Sequence, residues 1–488
     1  HNGIIENAAE LRKRLQDNGC SFRSDTDTEV LAHLIASFVK EKNIQEAVRH
    51  AIAIASGTYG IAVIDTNDPT RIVVARNGSP VIIGLGDREM FVASDVSALV
   101  RHTRQVVHLD DGELAVVDAN GYSTITKDAI PTTKSPDQVL LQADAYDKGS
   151  YGHFMLKEIY EQPEAVARTL SGRLDEQFGT ARLGGLNLSV RDLLNIRRIK
   201  ILGCGSAYYA GLAGAHLLET LTRVPSDAEP AAEFRYRDPV IEDDVLYIFV
   251  SQSGETADTL AAIKDARARG ATVISICNVI ESSIPRASDA TLYTHAGPEI
   301  SVASTKAFTT QVAALHLLAL YMGQRRGVAD EAMVAADLDA LVHVPATLES
   351  MLGDDGPYRQ FAQTWHEATS MLFLGRGPLF PLALEGALKI KEISYIHAEG
   401  YAAGEMKHGP IALVDERVPS VFLNPRDHHF GKVRSNLQEV KARRGPILAV
   451  HTEGDEETAE PTPPSQGSCP APGDEPTEPT VTDGDKAP

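Results

Sequence analysis

Three times along this chain a short apolar run passes through a turn of glycines or hydroxyls directly into a helical pattern. The run Asp244-Val245-Leu246-Tyr247-Ile248-Phe249-Val250 has the length and the β-branched and aromatic content of a buried strand. It leads through Ser251-Gln252-Ser253-Gly254-Glu255-Thr256 into Thr259-Leu260-Ala261-Ala262-Ile263-Lys264-Asp265-Ala266, a helical pattern that stops at Gly270. Upstream, Ile199-Lys200-Ile201-Leu202-Gly203-Cys204-Gly205-Ser206 makes the same transition, and Leu374-Gly375-Arg376-Gly377-Pro378 makes it again. Aligning Leu202-Gly203-x-Gly205 with Leu374-Gly375-x-Gly377 gives an internal duplication of about 170 residues. Each half is then expected to be an α/β layer built on a parallel sheet.

The turn at 251–256 has the chemistry of an anion site. A helix amino terminus presents unpaired N–H groups and the positive end of the helix dipole, so it stabilises a phosphate without lysine or arginine. Ser251, Ser253 and Thr256 add hydroxyl donors and Gln252 an amide. One hydroxyl would only cap its own helix; three, beside Gln252 and Gly254, exceed that need. A dinucleotide fingerprint is not present, because Tyr208 and Phe380 stand where G-x-G-x-x-G requires its third glycine.

At 488 residues the chain predicts two to four domains. No run of eighteen apolar residues and no amino-terminal signal pattern is present, which predicts a cytoplasmic protein without a membrane partner. Cys20, Cys204, Cys277 and Cys469 lack ligand or disulfide spacing, and no H-E-x-x-H set occurs, so neither metal nor cofactor is expected. The net charge of −21 opposes nucleic-acid binding, although local dipoles can still hold one sugar phosphate. Residues 451–488 supply −9 of that charge and eight prolines, the composition of a disordered tail.

Along the chain, residues 1–130 show short β runs at 61–64, 72–75, 81–84, 90–93 and 114–117, with helical patterns at about 7–18, 28–41 and 45–56, as in an α+β layer. Residues 131–178 read as a linker whose helices dock rather than form a core. Residues 179–331 alternate strands and helices, and the pattern restarts at 356–450 before the tail. Glu385, Lys389 and Glu392 fall at i, i+4 and i+7 of an Ala- and Leu-rich helix, which puts all three on one face. By spacing alone they form a solvated charged stripe.

The string Ser251-Gln252-Ser253-Gly254-Glu255-Thr256-Ala257-Asp258-Thr259 combines with two others, Ala303-Ser304-Thr305-Lys306-Ala307-Phe308-Thr309-Thr310-Gln311 and Lys389-Ile390-Lys391-Glu392-Ile393-Ser394-Tyr395-Ile396-His397-Ala398-Glu399. With Lys407-His408-Gly409-Pro410, this set resembles the family of isomerising glutamine:fructose-6-phosphate aminotransferases, or glucosamine-6-phosphate synthases, over residues 1 to about 450. The resemblance implies an α/β chain: a partial α+β N-terminal-nucleophile glutaminase layer, then two sugar-isomerase (SIS) domains of doubly wound parallel-sheet type, the second truncated. It implies glutamine and fructose 6-phosphate as substrates and a homodimer formed through the SIS domains.

Carried over by residue, the resemblance makes Glu392 the carboxylate that moves a proton between C1 and C2 of the sugar. Lys389 becomes the amine assisting at the carbonyl carbon, Glu385 the group that positions it, and His408 the ring-opening histidine, reaching the neighbouring subunit's site. Ser206, Ser251, Gln252, Ser253 and Thr256 would hold the phosphate, while Val302 and Ser304 would line the sugar. Asn2 and Gly3 would form the oxyanion hole for glutamine, and Asp27 would bind its α-amino group.

Two departures from the family pattern shape the expectation. The family's nucleophile is an amino-terminal cysteine, whereas this sequence starts at His1, and Cys20 has no free α-amine beside it; no glutaminase activity is expected of the chain as given. After about Glu457 the similarity breaks into Pro461-Thr462-Pro463-Pro464, which suggests a shifted reading frame or an assembled fragment. Two competing readings are an amino-sugar deglycase, which has no use for residues 1–130, and a non-catalytic sugar-phosphate sensor, which has no use for the Glu385/Lys389/Glu392 set.

Overall fold

The front of the chain builds its core from strand alternation, which sends neighbouring side chains to opposite faces. In the computed structural model, which describes residues 1–39, 42–138, 146–175, 180–186, 188–280 and 282–455, strand Asp68–Asn77 turns Val73 and Ala75 toward a helical layer and Val74 toward a second sheet. Helices Ala8–Asp17, Asp27–Val39 and Ile44–Ile54 form that layer. They cover an antiparallel sheet ordered Asn2–Ile5, Gly57–Asp65, Asp68–Asn77, Glu113–Asp118, Gly121–Thr126, Pro131–Thr132. A second antiparallel sheet, Asp137–Gln138, Gln105–His108, Ile82–Leu85, Met90–Ala93, packs beyond it. Both sheets therefore take in strands that follow residue 130.

The linker helices are more than docked spacers. Helix Gln162–Leu170 inserts Val166 and Leu170 into the largest core of the molecule, which also contains Leu315, Leu318 and Met322 from helix Lys306–Arg325. Ala165, Val166, Thr169 and Leu170, two adjacent pairs four residues apart, give Gln162–Leu170 a buried face, on which the Thr169 hydroxyl donates to the Ala165 carbonyl.

Two parallel sheets follow. The first is ordered Ser226–Pro230, Arg198–Gly203, Val245–Ser251, Thr272–Cys277, Ala290–Tyr293, and all its pairings are parallel. The second is ordered His397–Ala402, Ser370–Gly375, Ser420–Asn424, Ile447–His451, again all parallel. In both, the strand that comes first in sequence lies inside the sheet, the next strand is added on one side and the later ones on the other. The duplicated turn motif thus sits at the same topological switch point of both halves, outside the carboxyl ends of the strands.

The sequence boundary at 451 needs correction. Ile447–His451 pairs with Ser420–Asn424, and Asp455 is buried and accepts from Arg426 at 3.0 Å. Strand pairing and an ion pair order these residues despite the acidic composition that follows. The remainder of the stretch read as disordered lies outside the described residues.

The two duplicated transitions share a steric requirement. A Cβ on Gly203 would lie 2.8 Å from the Ala207 carbonyl carbon, and one on Gly375 would lie 2.2 Å from the Leu379 carbonyl oxygen. Each helix starts so close behind its strand that no side chain fits. Gly203→Val is expected to destabilise the first parallel-sheet unit by about 1–3 kcal/mol through overpacking, read as a shift of its urea unfolding transition to lower concentration.

Candidate functional site

Strand Val245–Ser251 is buried along its whole length, so its end is a fixed platform for the turn that follows. The turn is tight. Gly254 has φ +68°, and a Cβ there would fall 1.8 Å from Ser282 Oγ, so only glycine fits. Ser251 Oγ accepts the Gly254 N–H at 3.0 Å and lies 3.1 Å from Thr256 Oγ1, while Ser253 Oγ accepts the Glu255 N–H at 3.2 Å. Thr256 is the N-cap residue of helix Ala257–Ala268, yet its hydroxyl makes no capping bond. Gly205, which has no side chain to cap with, precedes helix Ser206–Thr222. Two helices therefore direct amino termini without side-chain caps to the switch point, the arrangement that favours an anion.

The charged face of helix Phe380–Ser394 is pressed onto that switch point rather than into solvent. Lys389 Nζ lies 3.2 Å from Glu385 Oε1 and 2.6 Å from Glu392 Oε2. Ser206, the first residue of its helix, donates from Oγ to Glu385 Oε1 at 2.8 Å and accepts from Lys389 Nζ at 3.1 Å. Glu385 is only 6% exposed, which excludes the solvated-stripe reading for it. Burial pushes its carboxyl above the usual carboxylate range, opposed by the Lys389 charge and the Ser206 hydroxyl. Its Oε2 is buried without a hydrogen-bond partner among the described residues. Chemically, the assembly offers two carboxylates sharing one ammonium, one of them desolvated, at the uncapped amino terminus of helix Ser206–Thr222.

The loop before helix Lys306–Arg325, which carries Val302 and Ser304, is shaped by the linker. Glu158 accepts the Ile300 and Ser301 N–H groups at 2.6 and 3.1 Å; burial pushes its carboxyl up while those N–H groups act against the rise. Lys306, 2% exposed, pairs with Glu161 Oε2 at 2.5 Å, and Thr309 donates to Gln162. Ser304 Oγ donates to Glu299 at 3.0 Å. Val302 is 95% exposed and projects from the loop without a covering wall among the described residues. Sequence reasoning missed Glu158, Glu161, Glu299 and Lys306 as shapers of this loop; the only signal was the polar string Tyr160-Glu161-Gln162.

At the front, Asn2 and Gly3 lie on the strand Asn2–Ile5, both exposed. Gly3 has φ +116°, and a Cβ there would meet Thr58 O at 2.2 Å. Asp27, which opens helix Asp27–Val39, accepts the Ile5 N–H at 2.9 Å, and His1 lies 3.7 Å from its carboxylate. The structure thus brings Asp27 beside the strand that carries Asn2 and Gly3. His408 closes the short 3-10 turn Ala403–His408, is exposed, and makes no hydrogen bond or ion pair with Glu385, Lys389 or Glu392. Among the described residues, Asp427, His428 and His429 are the group whose metal-ligand-type atoms gather within 4.8 Å; they occupy one turn with His428 exposed.

The comparisons agree with this architecture. A SIS domain matches residues 192–321 and 365–462, and a glutamine amidotransferase domain matches residues 1–101. The chain is 46% identical over 460 residues to glutamine–fructose-6-phosphate aminotransferase (isomerizing) of Chlorobaculum tepidum, covering 94% of this chain and 75% of that protein. It is 46% identical over 459 residues to the same enzyme of Symbiobacterium thermophilum, with the same two coverages. Among solved structures, the C-terminal domain of glucosamine-fructose-6-phosphate aminotransferase from Francisella tularensis superposes with a TM-score of 0.61 at 41% identity, covering 64% of this chain and 87% of that one. At this identity and coverage, with a glutamine amidotransferase layer in front of SIS units, the chain belongs to the isomerizing glutamine–fructose-6-phosphate aminotransferase family.

Proposed function

We propose that this chain carries the isomerase site, and the oxyanion and α-amino contacts for glutamine, of an enzyme that transfers the amide nitrogen of glutamine to fructose 6-phosphate and isomerises the product to glucosamine 6-phosphate as a cytoplasmic homodimer; the nucleophile of the glutamine half-reaction is not among residues 1–488. The observation that carries this reading is the Ser206 hydroxyl, hydrogen-bonded at once to Glu385 and Lys389. It ties the amino terminus of a first-half helix to the charged face of a second-half helix, which supports reading that face as the proton-transfer groups of a sugar-phosphate site.

In this reading Ser251, Gln252, Ser253 and Thr256 hold the phosphate with the two helix amino termini, and the sugar extends toward helix Phe380–Ser394 under Val302 and Ser304. Glu392 takes the proton from one carbon and returns it to its neighbour, a task that needs a single group able to accept and release. Lys389, 2.6 Å from Glu392 and 3.2 Å from Glu385, supplies positive charge at the carbonyl end, and Glu385 fixes its direction. His408 is exposed on its own subunit and is assigned to the partner's site, where a near-neutral imidazole suits ring opening. The exposure of Val302 fits the same dimer, since a second copy would supply the missing wall. Asn2 and Gly3 provide oxyanion donors and Asp27 the counter-charge for the α-amino group of glutamine.

Formation of glucosamine 6-phosphate from fructose 6-phosphate and added ammonium tests the isomerase half. Glu392→Gln is expected to cut that turnover by about 10²–10⁴-fold while changing the Kd for fructose 6-phosphate only a few-fold; a variant with wild-type turnover would remove Glu392 from the chemistry. At the front, Asp27→Asn is expected to weaken glutamine binding by about tenfold, the loss of one charged hydrogen bond of roughly 1.5 kcal/mol, with fructose 6-phosphate binding unchanged in the same calorimetric series.

A further inference from the structure

The phosphate turn contains a residue that an anion site would not select for itself. Glu255 stands between Gly254 and Thr256, within the run of donors, and a carboxylate there disfavours a phosphate unless its charge is compensated. The compensation is present. Glu255 Oε1 accepts the Ser283 N–H at 2.8 Å, and Oε2 accepts from Ser283 Oγ at 2.8 Å and from Arg76 Nη2 at 3.0 Å.

Arg76 belongs to the front sheet, on strand Asp68–Asn77, and is only 2% exposed. Its guanidinium is held through both terminal nitrogens: Nη1 donates to Leu109 O at 2.7 Å and Nη2 also donates to Ser283 Oγ at 2.9 Å, while Nε makes no hydrogen bond among the described residues but lies 3.3 Å from the Asp111 carboxylate, within ion-pair range. Asp111 accepts the Gly78 N–H at 2.8 Å and pairs at 2.8 Å with Lys264, on the helix that follows the phosphate turn. A chain of alternating charges, Lys264, Asp111, Arg76, Glu255, thus grips both the turn and its helix from the front layer. The planar fork of arginine fits this task, since its donors leave in fixed directions that an ammonium cannot reproduce.

We propose that Arg76 is a positioning residue for the sugar-phosphate site: by holding Glu255 it fixes the 251–256 turn and neutralises the one carboxylate in it, so that the front layer sets sugar-phosphate affinity. This rests on the reading of 251–256 as the phosphate turn. Without Arg76, Glu255 keeps Ser283 but carries an uncompensated, half-buried negative charge beside the donors. The Gly254 backbone, at φ +68°, then loses the outside anchor of its neighbour.

The test is calorimetric titration of fructose 6-phosphate, and separately of inorganic phosphate, into the full chain and into R76M, R76K, E255Q and R76M/E255Q, each with a thermal unfolding curve. R76M is expected to bind both ligands at least tenfold more weakly, R76K and E255Q to lose less, and the double variant to bind more tightly than R76M because the uncompensated charge is gone. That recovery is the readout a purely structural arginine would not give. Wild-type affinity in R76M, or a double variant no tighter than R76M, overturns the role. Should R76M fail to fold, unchanged affinity in both R76K and E255Q overturns it, and weakened affinity in both sustains it. A wild-type chain that binds neither ligand overturns the phosphate-turn reading and this role together, whereas a wild type that binds beside an unaffected R76M overturns the positioning role alone.

Discussion

One hydroxyl, that of Ser206, is shared between a carboxylate and an ammonium that come from the other half of a duplicated fold. Glu385 is buried, and desolvating a carboxylate costs several kcal/mol unless partners compensate it. Here the partners are Lys389, one turn along the same helix, and Ser206, which exists at that position only when helix Ser206–Thr222 docks on helix Phe380–Ser394. The contact therefore makes the two parallel-sheet units depend on each other. It also brings the Glu-Lys-Glu face to the amino terminus of the helix that starts at Ser206, and burial there raises the proton affinity of Glu385.

Duplication followed by division of labour explains the architecture. Both halves retain the strand order and the glycine that lets a helix start directly behind its strand, at Gly203 and at Gly375. The first half keeps a third-strand turn full of donors, Ser251 to Thr256. In the second half, the equivalent turn, after Ser420–Asn424, begins with Pro425, which has no N–H to offer, and carries Asp427, whose carboxylate accepts the His429 N–H at 2.7 Å. That half supplies a helix face instead. In the proposed reading, a phosphate on one unit and proton-transfer groups on the other put the reaction at the seam between them.

The surroundings of the seam are set from outside it. Linker residues Glu158, Glu161 and Gln162 hold the 299–309 segment through backbone N–H groups, Lys306 and Thr309. Arg76 of the front sheet reaches the phosphate turn through Glu255. Each of these is a charged or amide group, buried or nearly so, whose partner lies more than a hundred residues away. Such groups stay buried only where the partner is in place, so the linker and the front layer specify how the sugar-isomerase units present their loops.

The sequence by itself determined the elements and the donor set. Apolar runs of strand length between glycine-rich turns forced alternating strands and helices, and the three helices and the principal strands of the front layer fall within a few residues of their periodic patterns. Strands Gln105–His108 and Gly121–Thr126 were not legible, since each is short and owes its conformation to pairing with a neighbour. The spacing of Glu385, Lys389 and Glu392 fixed a common helix face, but helical periodicity is blind to what that face touches. Only the tertiary structure decided that the face meets Ser206 rather than water, that Glu161 and Arg76 serve loops far along the chain, and that His408 stands apart from the triad in its own subunit. Local geometry follows from covalent spacing and is written in the residues. Desolvation and long-range pairing arise only when distant surfaces close on each other, and these are what turn a stripe of charges into a reaction site.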